Sequence, residues 1–188
     1  ICQCDQKNNM ISSALRKPAA TKKNATALSE CGINTCLVLA GVFLFYLSHP
    51  NGISYKGFPI LGFIALVPVF LVARRASFKI ILPLGFLYGL LSYAFYCYWL
   101  FKYEAVVYII ACASYGVFLA VAFLAMHAAF ALCKKWGSVA AMLVWCSFEY
   151  IKTLGFLGFS YGIIGYTQWQ SAVLMQSASF GGVWILSL

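Results

Sequence analysis

Six apolar runs, separated by short polar breaks, leave this chain few ways to fold. They lie at about residues 33–48, 57–73, 80–101, 105–133, 138–154 and from 171 onward. Of the 188 residues, 63% are hydrophobic and only 9% are charged. A soluble domain is about a quarter charged, so there is too little charge here to coat a globule. Lipid as the solvent removes that difficulty, because apolar side chains can then face outward. In lipid the backbone must satisfy its own hydrogen bonds, which favours helices. The sequence therefore predicts an all-α protein, a polytopic transmembrane helical bundle. Residues 33–188 are expected to supply five full spans and a sixth that is unfinished at Leu188. The first run is short for a span of roughly 17–25 residues, and flanking residues from about 28 can extend it. His49-Pro50-Asn51-Gly52 ends it. Pro68 falls inside the second run, where it is expected to act as a tolerated kink.

The charges test this layout independently. Residues 1–32 form a polar, basic segment with Lys7, Arg16, Lys17, Lys22 and Lys23. If this N-terminal segment is cytoplasmic, the inner side also receives Arg74, Arg75, Lys79, Lys134 and Lys135. The outer side receives Lys56, Lys102 and Lys152. Cytoplasmic loops carry the excess of Lys and Arg in membrane proteins, so ten of the 13 basic residues fall where the orientation requires. This accounts for the net charge of +9 without nucleic acid as a partner, which would call for one basic face. The chain starts with Ile1, and Met10 is a plausible true start.

Few residues offer chemistry. The eight cysteines form no CxxC pair and no metal-ligand spacing with histidine. No metal and no cofactor is expected. No hydrolase, P-loop or dinucleotide motif occurs. Gly85-Phe-Leu-Tyr-Gly89 has the small-xxx-small spacing that lets two helices approach closely. His127, near the inner end of the fourth run, reads as interfacial. Glu149 and Lys152 sit three residues apart, so they share a helix face. Two readings stand: a self-neutralising pair that anchors the helix, or a polar contact at the mouth of a lipid- or substrate-accessible cavity. From Gly155 to Trp169 glycines and aromatics alternate densely. An aromatic belt explains the aromatics but not the glycines, so an irregular outer-face loop shaping a cavity is the favoured reading.

These residues resemble, in order and spacing, the N-terminal membrane region of bacterial apolipoprotein N-acyltransferases over roughly residues 37–188. The features that carry the resemblance are Tyr46-Leu-Ser48-His-Pro50, Arg74-Arg75, Leu84-Gly-Phe-Leu-Tyr-Gly89, and Trp145 with Glu149-Tyr-Ile-Lys152. Gly155-Phe-Leu-Gly-Phe-Ser-Tyr161, Gly165-Tyr-Thr-Gln168 and Gly182-Val-Trp184 complete it. The resemblance implies an inner-membrane, multi-pass enzyme with a nitrilase-like domain on the outer face. Such an enzyme moves a fatty acyl group from a phospholipid donor to the N-terminal cysteine of an apolipoprotein, through a thioester on a catalytic Cys assisted by Glu and Lys. In the family those three residues follow the seventh helix. The resemblance therefore assigns no catalytic residue to this chain, which is expected to be a truncated form, inactive alone. Where the family often has Phe-Pro-Trp, this chain has Phe159-Ser160-Tyr161. Glu149, Lys152, Tyr161, Tyr166 and Gln168 are the candidates for shaping the lipid-entry side of the site. A transporter or channel component, which needs paired ionisable groups near the midplane, and a non-catalytic membrane scaffold are the alternatives.

Overall fold

The structure is a computed structural model that describes residues 29–154 and 158–187. The basic N-terminal residues up to 28, Met10 among them, lie outside the described residues, as do Gly155, Phe156, Leu157 and Leu188. The chain divides into two units, residues 1–33 and 34–188. Of the first, only the opening residues of one helix are described, and the account below concerns the second.

Seven α-helices are described and no strand. They are α1 (Ser29–Ser48), α2 (Pro59–Ala65), α3 (Val67–Arg75), α4 (Phe78–Tyr96), α5 (Ala105–Leu132), α6 (Gly137–Ile151) and α7 (Ala172–Gly181). Three short 3-10 turns, Tyr98–Lys102, Ile164–Gln168 and Val183–Leu186, fill the connections. The predicted helical bundle is thus the observed fold among the described residues.

Each long helix buries one stripe and leaves apolar residues on the other face. In α5 the stripe is Cys112, Gly116, Leu119, Phe123 and Met126, at the three- and four-residue spacing of one helix side. Val106, Ile109, Ile110, Val117 and Val121 on the remaining surface are exposed. In water so much exposed hydrocarbon would cost about 25 cal/mol per Å²; in lipid it costs nothing. Helices α1, α4 and α5 are long and apolar enough to cross a membrane, whereas α6 is a shorter apolar helix of 15 residues. At 1.5 Å per residue, the 28 residues of α5 extend about 42 Å. That exceeds a hydrocarbon core of about 30 Å, so the helix must tilt or project into the headgroups.

Two runs depart from simple continuous helices. The second run is divided at Leu66, with Pro68 in the first turn of α3 rather than at a kink inside one helix. Proline lacks the N–H that would continue the preceding turn but is well suited to begin a new one. The last run begins where the sequence predicts, but α7 ends at Gly181. Gly182 has φ +68°, a conformation that disfavours other residues, and it turns Val183–Ser187 back toward the body of the protein.

The centre of the bundle is the α4–α5 contact, and glycine sets its distance. A Cβ at Gly85 would meet Ala120 Cα and Phe123 Cβ at 2.8 Å, and one at Gly89 would meet the Tyr115 carbonyl oxygen at 2.6 Å. Gly116 of α5 reciprocates: a Cβ there would meet the Phe86 ring at 2.8 Å. The Gly85–Gly89 spacing therefore does serve a helix contact. Overpacking a tight contact costs about 1–3 kcal/mol, and backbone atoms cannot step aside as a side chain can. Gly89→Leu should therefore lower the midpoint of thermal unfolding in detergent strongly. Gly32→Leu, where a Cβ meets nothing within 4 Å, should leave it nearly unchanged.

Candidate functional site

Residues 158–163 run inward as irregular backbone and lead into the 3-10 turn Ile164–Gln168, with Gly162, Ile163, Ile164, Gly165, Thr167 and Gln168 buried. Helical backbone is self-satisfied; this stretch is not, and each buried N–H or C=O without a partner costs about 1–3 kcal/mol. Side chains from elsewhere meet that demand. The Tyr93 hydroxyl donates to the Tyr161 carbonyl at 3.3 Å, and Lys152 Nζ donates to the Gly162 carbonyl at 2.9 Å. His49 Nε2 lies 3.3 Å from the Ile163 carbonyl oxygen. The Ile164 N–H donates to Glu149 Oε1 at 2.9 Å, and the Gly165 N–H donates to Ser187 Oγ at 3.0 Å. The Phe159 N–H closes the entry to the loop by donating to the Lys152 carbonyl at 2.9 Å.

Glycine makes the approach possible. Gly162 has φ +72°, and a Cβ there would lie 3.1 Å from the Phe45 ring and 3.4 Å from the Tyr93 hydroxyl. Gly165 packs so tightly on the Val183 carbonyl that no side chain could fit. The glycine-rich reading of this stretch, as irregular backbone in close contact, holds for its described residues.

Both acid and base of the Glu149–Lys152 pair are buried. They do not bond to each other. Lys152 Nζ donates to the Tyr93 hydroxyl at 3.0 Å as well as to Gly162, and it lies 5.7 Å from the Tyr93 ring centroid and 5.9 Å from that of Phe148. Glu149 Oε1 serves Ile164, while its Oε2 has no hydrogen-bond partner among the described residues. The two side chains grip the same loop at Gly162 and Ile164. Beside them, Tyr88 Oη, Ser92 Oγ and Trp145 Nε1 are also buried without partners among the described residues. Tyr88, Ser92, Trp145 and Lys152 line a void of about 10 Å³, room for about one water molecule.

The side chains of the other three sequence candidates take no part in this grip, although the Tyr161 carbonyl is held by it. Gln168 is buried and donates through Nε2 to the Pro59 carbonyl at 2.8 Å and to Thr167 Oγ1 at 3.0 Å, tying the loop to α2. With Ile164, Ser187, Gly62, Phe63 and Met142 it lines a mainly apolar cavity of about 140 Å³. Tyr161 and Tyr166 are part-exposed. The Tyr161 ring packs 5.8 Å from Trp99 and 4.8 Å from Phe159. His49, Tyr93 and Ser187 contribute to the grip although sequence reasoning passed them over. In the sequence His49 ends the first apolar run and belongs to the Tyr46–Pro50 stretch that carries the family resemblance. In the structure it is fully buried, with Nδ1 2.9 Å from the Phe45 carbonyl oxygen and its ring between Phe45 and Tyr96.

Over residues 37–188 the chain matches the family model described as the apolipoprotein N-acyltransferase N-terminal domain. The chain belongs to the apolipoprotein N-acyltransferase family. Its relatives include apolipoprotein N-acyltransferase 1 of Treponema denticola, 37% identical over 155 residues, which are 82% of this chain and 28% of that protein. Apolipoprotein N-acyltransferase 1 of Treponema pallidum is 42% identical over 151 residues, 80% of this chain and 28% of that protein. The apolipoprotein N-acyltransferase of Geobacter metallireducens is 32% identical over 163 residues, 80% of this chain and 30% of that protein. The chain thus spans less than a third of the length of these curated relatives. No solved structure matches it. Every side chain that grips the 158–168 loop lies within the N-terminal domain of the acyltransferase family as matched here.

The grip makes a graded prediction. Glu149→Gln retains an oxygen to accept from Ile164 and should change stability by less than about 1 kcal/mol. Glu149→Leu and Lys152→Met leave buried backbone groups unpaired and should each cost about 1–3 kcal/mol. Thermal unfolding in detergent reads the difference. Equal loss in Glu149→Gln and Glu149→Leu would show that the carboxylate charge, rather than the acceptor, matters.

Proposed function

We propose that this chain is the membrane portion of an apolipoprotein N-acyltransferase and that its 158–168 loop forms part of the surface by which the acyl-donor phospholipid reaches the active site. The observation that carries this reading is an irregular, glycine-rich backbone segment gripped by Tyr93, Lys152, His49 and Glu149 inside an otherwise lipid-facing helical bundle. Non-helical backbone at membrane depth is tolerated only where protein buries it or where it lines a cavity, and here Ile164 and Gln168 line one. In this reading Glu149 and Lys152 act by positioning the loop, Gln168 shapes the cavity wall, and Tyr161 and Tyr166 present part-exposed aromatic surfaces to lipid. The acyl acceptor is the N-terminal cysteine of an apolipoprotein, and the reaction belongs to lipoprotein maturation.

The proposed topology is a multi-pass helical bundle in a bacterial inner membrane, with the N-terminus in the cytoplasm. The distribution of basic residues supports it. Glu149 and Lys152 are both taken up by loop backbone, which deprives a transporter reading of the paired ionisable groups it needs.

Three outcomes are expected. An alkaline phosphatase reporter fused near Tyr161 should be active in cells, as an outer-face location requires, and cytosolic placement would overturn the topology. In a full-length protein carrying these residues, Gln168→Ala combined with Glu149→Ala should lower acyl transfer to an apolipoprotein peptide at least about tenfold, roughly the effect of misplacing a substrate-positioning surface. Wild-type activity in that variant would count against the loop's role. The purified 188-residue chain should transfer no acyl group, and measurable transfer would show that it holds a nucleophile of its own.

A further inference from the structure

At the opposite end of α5 from Tyr108 and the loop's neighbours, the end of α3 and the α5–α6 connection border an open cavity of about 540 Å³. Arg74 enters from the last turn of α3, Lys134 and Lys135 from the turn after α5, and Phe130 and Ala131 from the last turn of α5. Among the described residues no acidic side chain lines it. His127 Nδ1 lies 2.9 Å from the Ala73 carbonyl oxygen, which ties α5 to α3 and holds the two basic connections at one wall. Next to the cavity Leu132 and Trp136 are exposed, at 81% and 66%. A tryptophan beside lysines at the end of an apolar helix marks the level where lipid headgroups meet water.

We infer that this cavity binds the phosphate-bearing headgroup of an anionic phospholipid. Basic loops on one side of a membrane protein are explained by topology alone, but topology does not require that they converge. Arg75 and Lys79 flank the same α3–α4 turn as Arg74 and satisfy the charge bias equally, yet they do not line the cavity. Three cations from two stretches of chain some sixty residues apart meet around one space, with no carboxylate among the described residues that line it. Its volume falls in the ordinary range of ligand sites, about 300–1,000 Å³. The apolar part of its wall, Phe130 and Ala131, continues into lipid-facing helix surface, which suits a ligand that is anionic at one end and acyl at the other. Basic pockets between transmembrane helices are a recurrent form of anionic-lipid site. The inference needs the bundle to be in a membrane; it does not need the acyl-transfer reading.

The test uses the purified chain reconstituted in nanodiscs of phosphatidylcholine with a minority of phosphatidylglycerol, released into mild detergent, with retained lipids counted by native mass spectrometry. The wild-type chain should retain phosphatidylglycerol out of proportion to its share. Arg74→Gln with Lys134→Gln should weaken that enrichment by about fivefold for each cation removed. Arg75→Gln with Lys79→Gln removes the same charge off the cavity and should preserve it. Arg74→Lys with Lys134→Arg keeps the charges and should preserve it too, which separates loss of binding from loss of fold. Equal weakening in both Gln pairs would reduce the effect to general attraction and overturn the inference. So would the absence of phosphatidylglycerol enrichment in the wild type, including the case in which inorganic phosphate alone binds there.

Discussion

A buried peptide group must find a hydrogen-bond partner, and in this protein that requirement is most acute along Tyr161–Gly165. A helix would have met it internally. Because the segment is irregular, its carbonyls at Tyr161, Gly162 and Ile163 turn to Tyr93, Lys152 and His49, and its N–H groups at Ile164 and Gly165 turn to Glu149 and Ser187. Those partners come from the end of α1, from α4, from the end of α6 and from the turn after Gly182. Five consecutive residues thus fasten four separate parts of the chain. An acid and a base that would be costly in an apolar core are tolerated there because each is used by the backbone.

The grip depends in turn on helix packing. Tyr93 lies one turn beyond Gly89, where α4 and α5 approach most closely. That approach stacks Tyr93 on Tyr115, with ring centroids 4.0 Å apart and planes 5° from parallel. The stacked ring aims the Tyr93 hydroxyl at both Lys152 Nζ and the Tyr161 carbonyl. A wider helix separation would move the hydroxyl away from both. The glycines of α4 therefore influence the loop without touching it.

The membership of the chain in the apolipoprotein N-acyltransferase family gives these features a context. The part matched is the N-terminal domain, and the described structure is a helical body with one gripped loop. Its other end is basic, with Arg74, Lys134 and Lys135 around one cavity. The two ends differ in chemistry: one uses its charges internally to hold backbone, while the other leaves them facing outward.

The sequence by itself determined the solvent and the class of fold. Runs of uncharged residues as long as 105–133 have no stable place in water, so helices in lipid follow from composition and length. It also determined the α4 contact, because Gly85 and Gly89 recur at a spacing that puts both on one helix side. It located the unusual stretch near 158–168, since aromatic anchoring does not call for glycine. It placed Glu149 and Lys152 on one face but left their partner open, because local spacing speaks only of neighbours within a helix. Only the tertiary structure decided that each bonds to the loop instead of to the other. The same holds for His49, more than a hundred residues from Ile163, and for Ser187, which reaches Gly165 only after the chain turns at Gly182. Such contacts are set by which helices pack together and at what distance, and no periodicity along the chain records that.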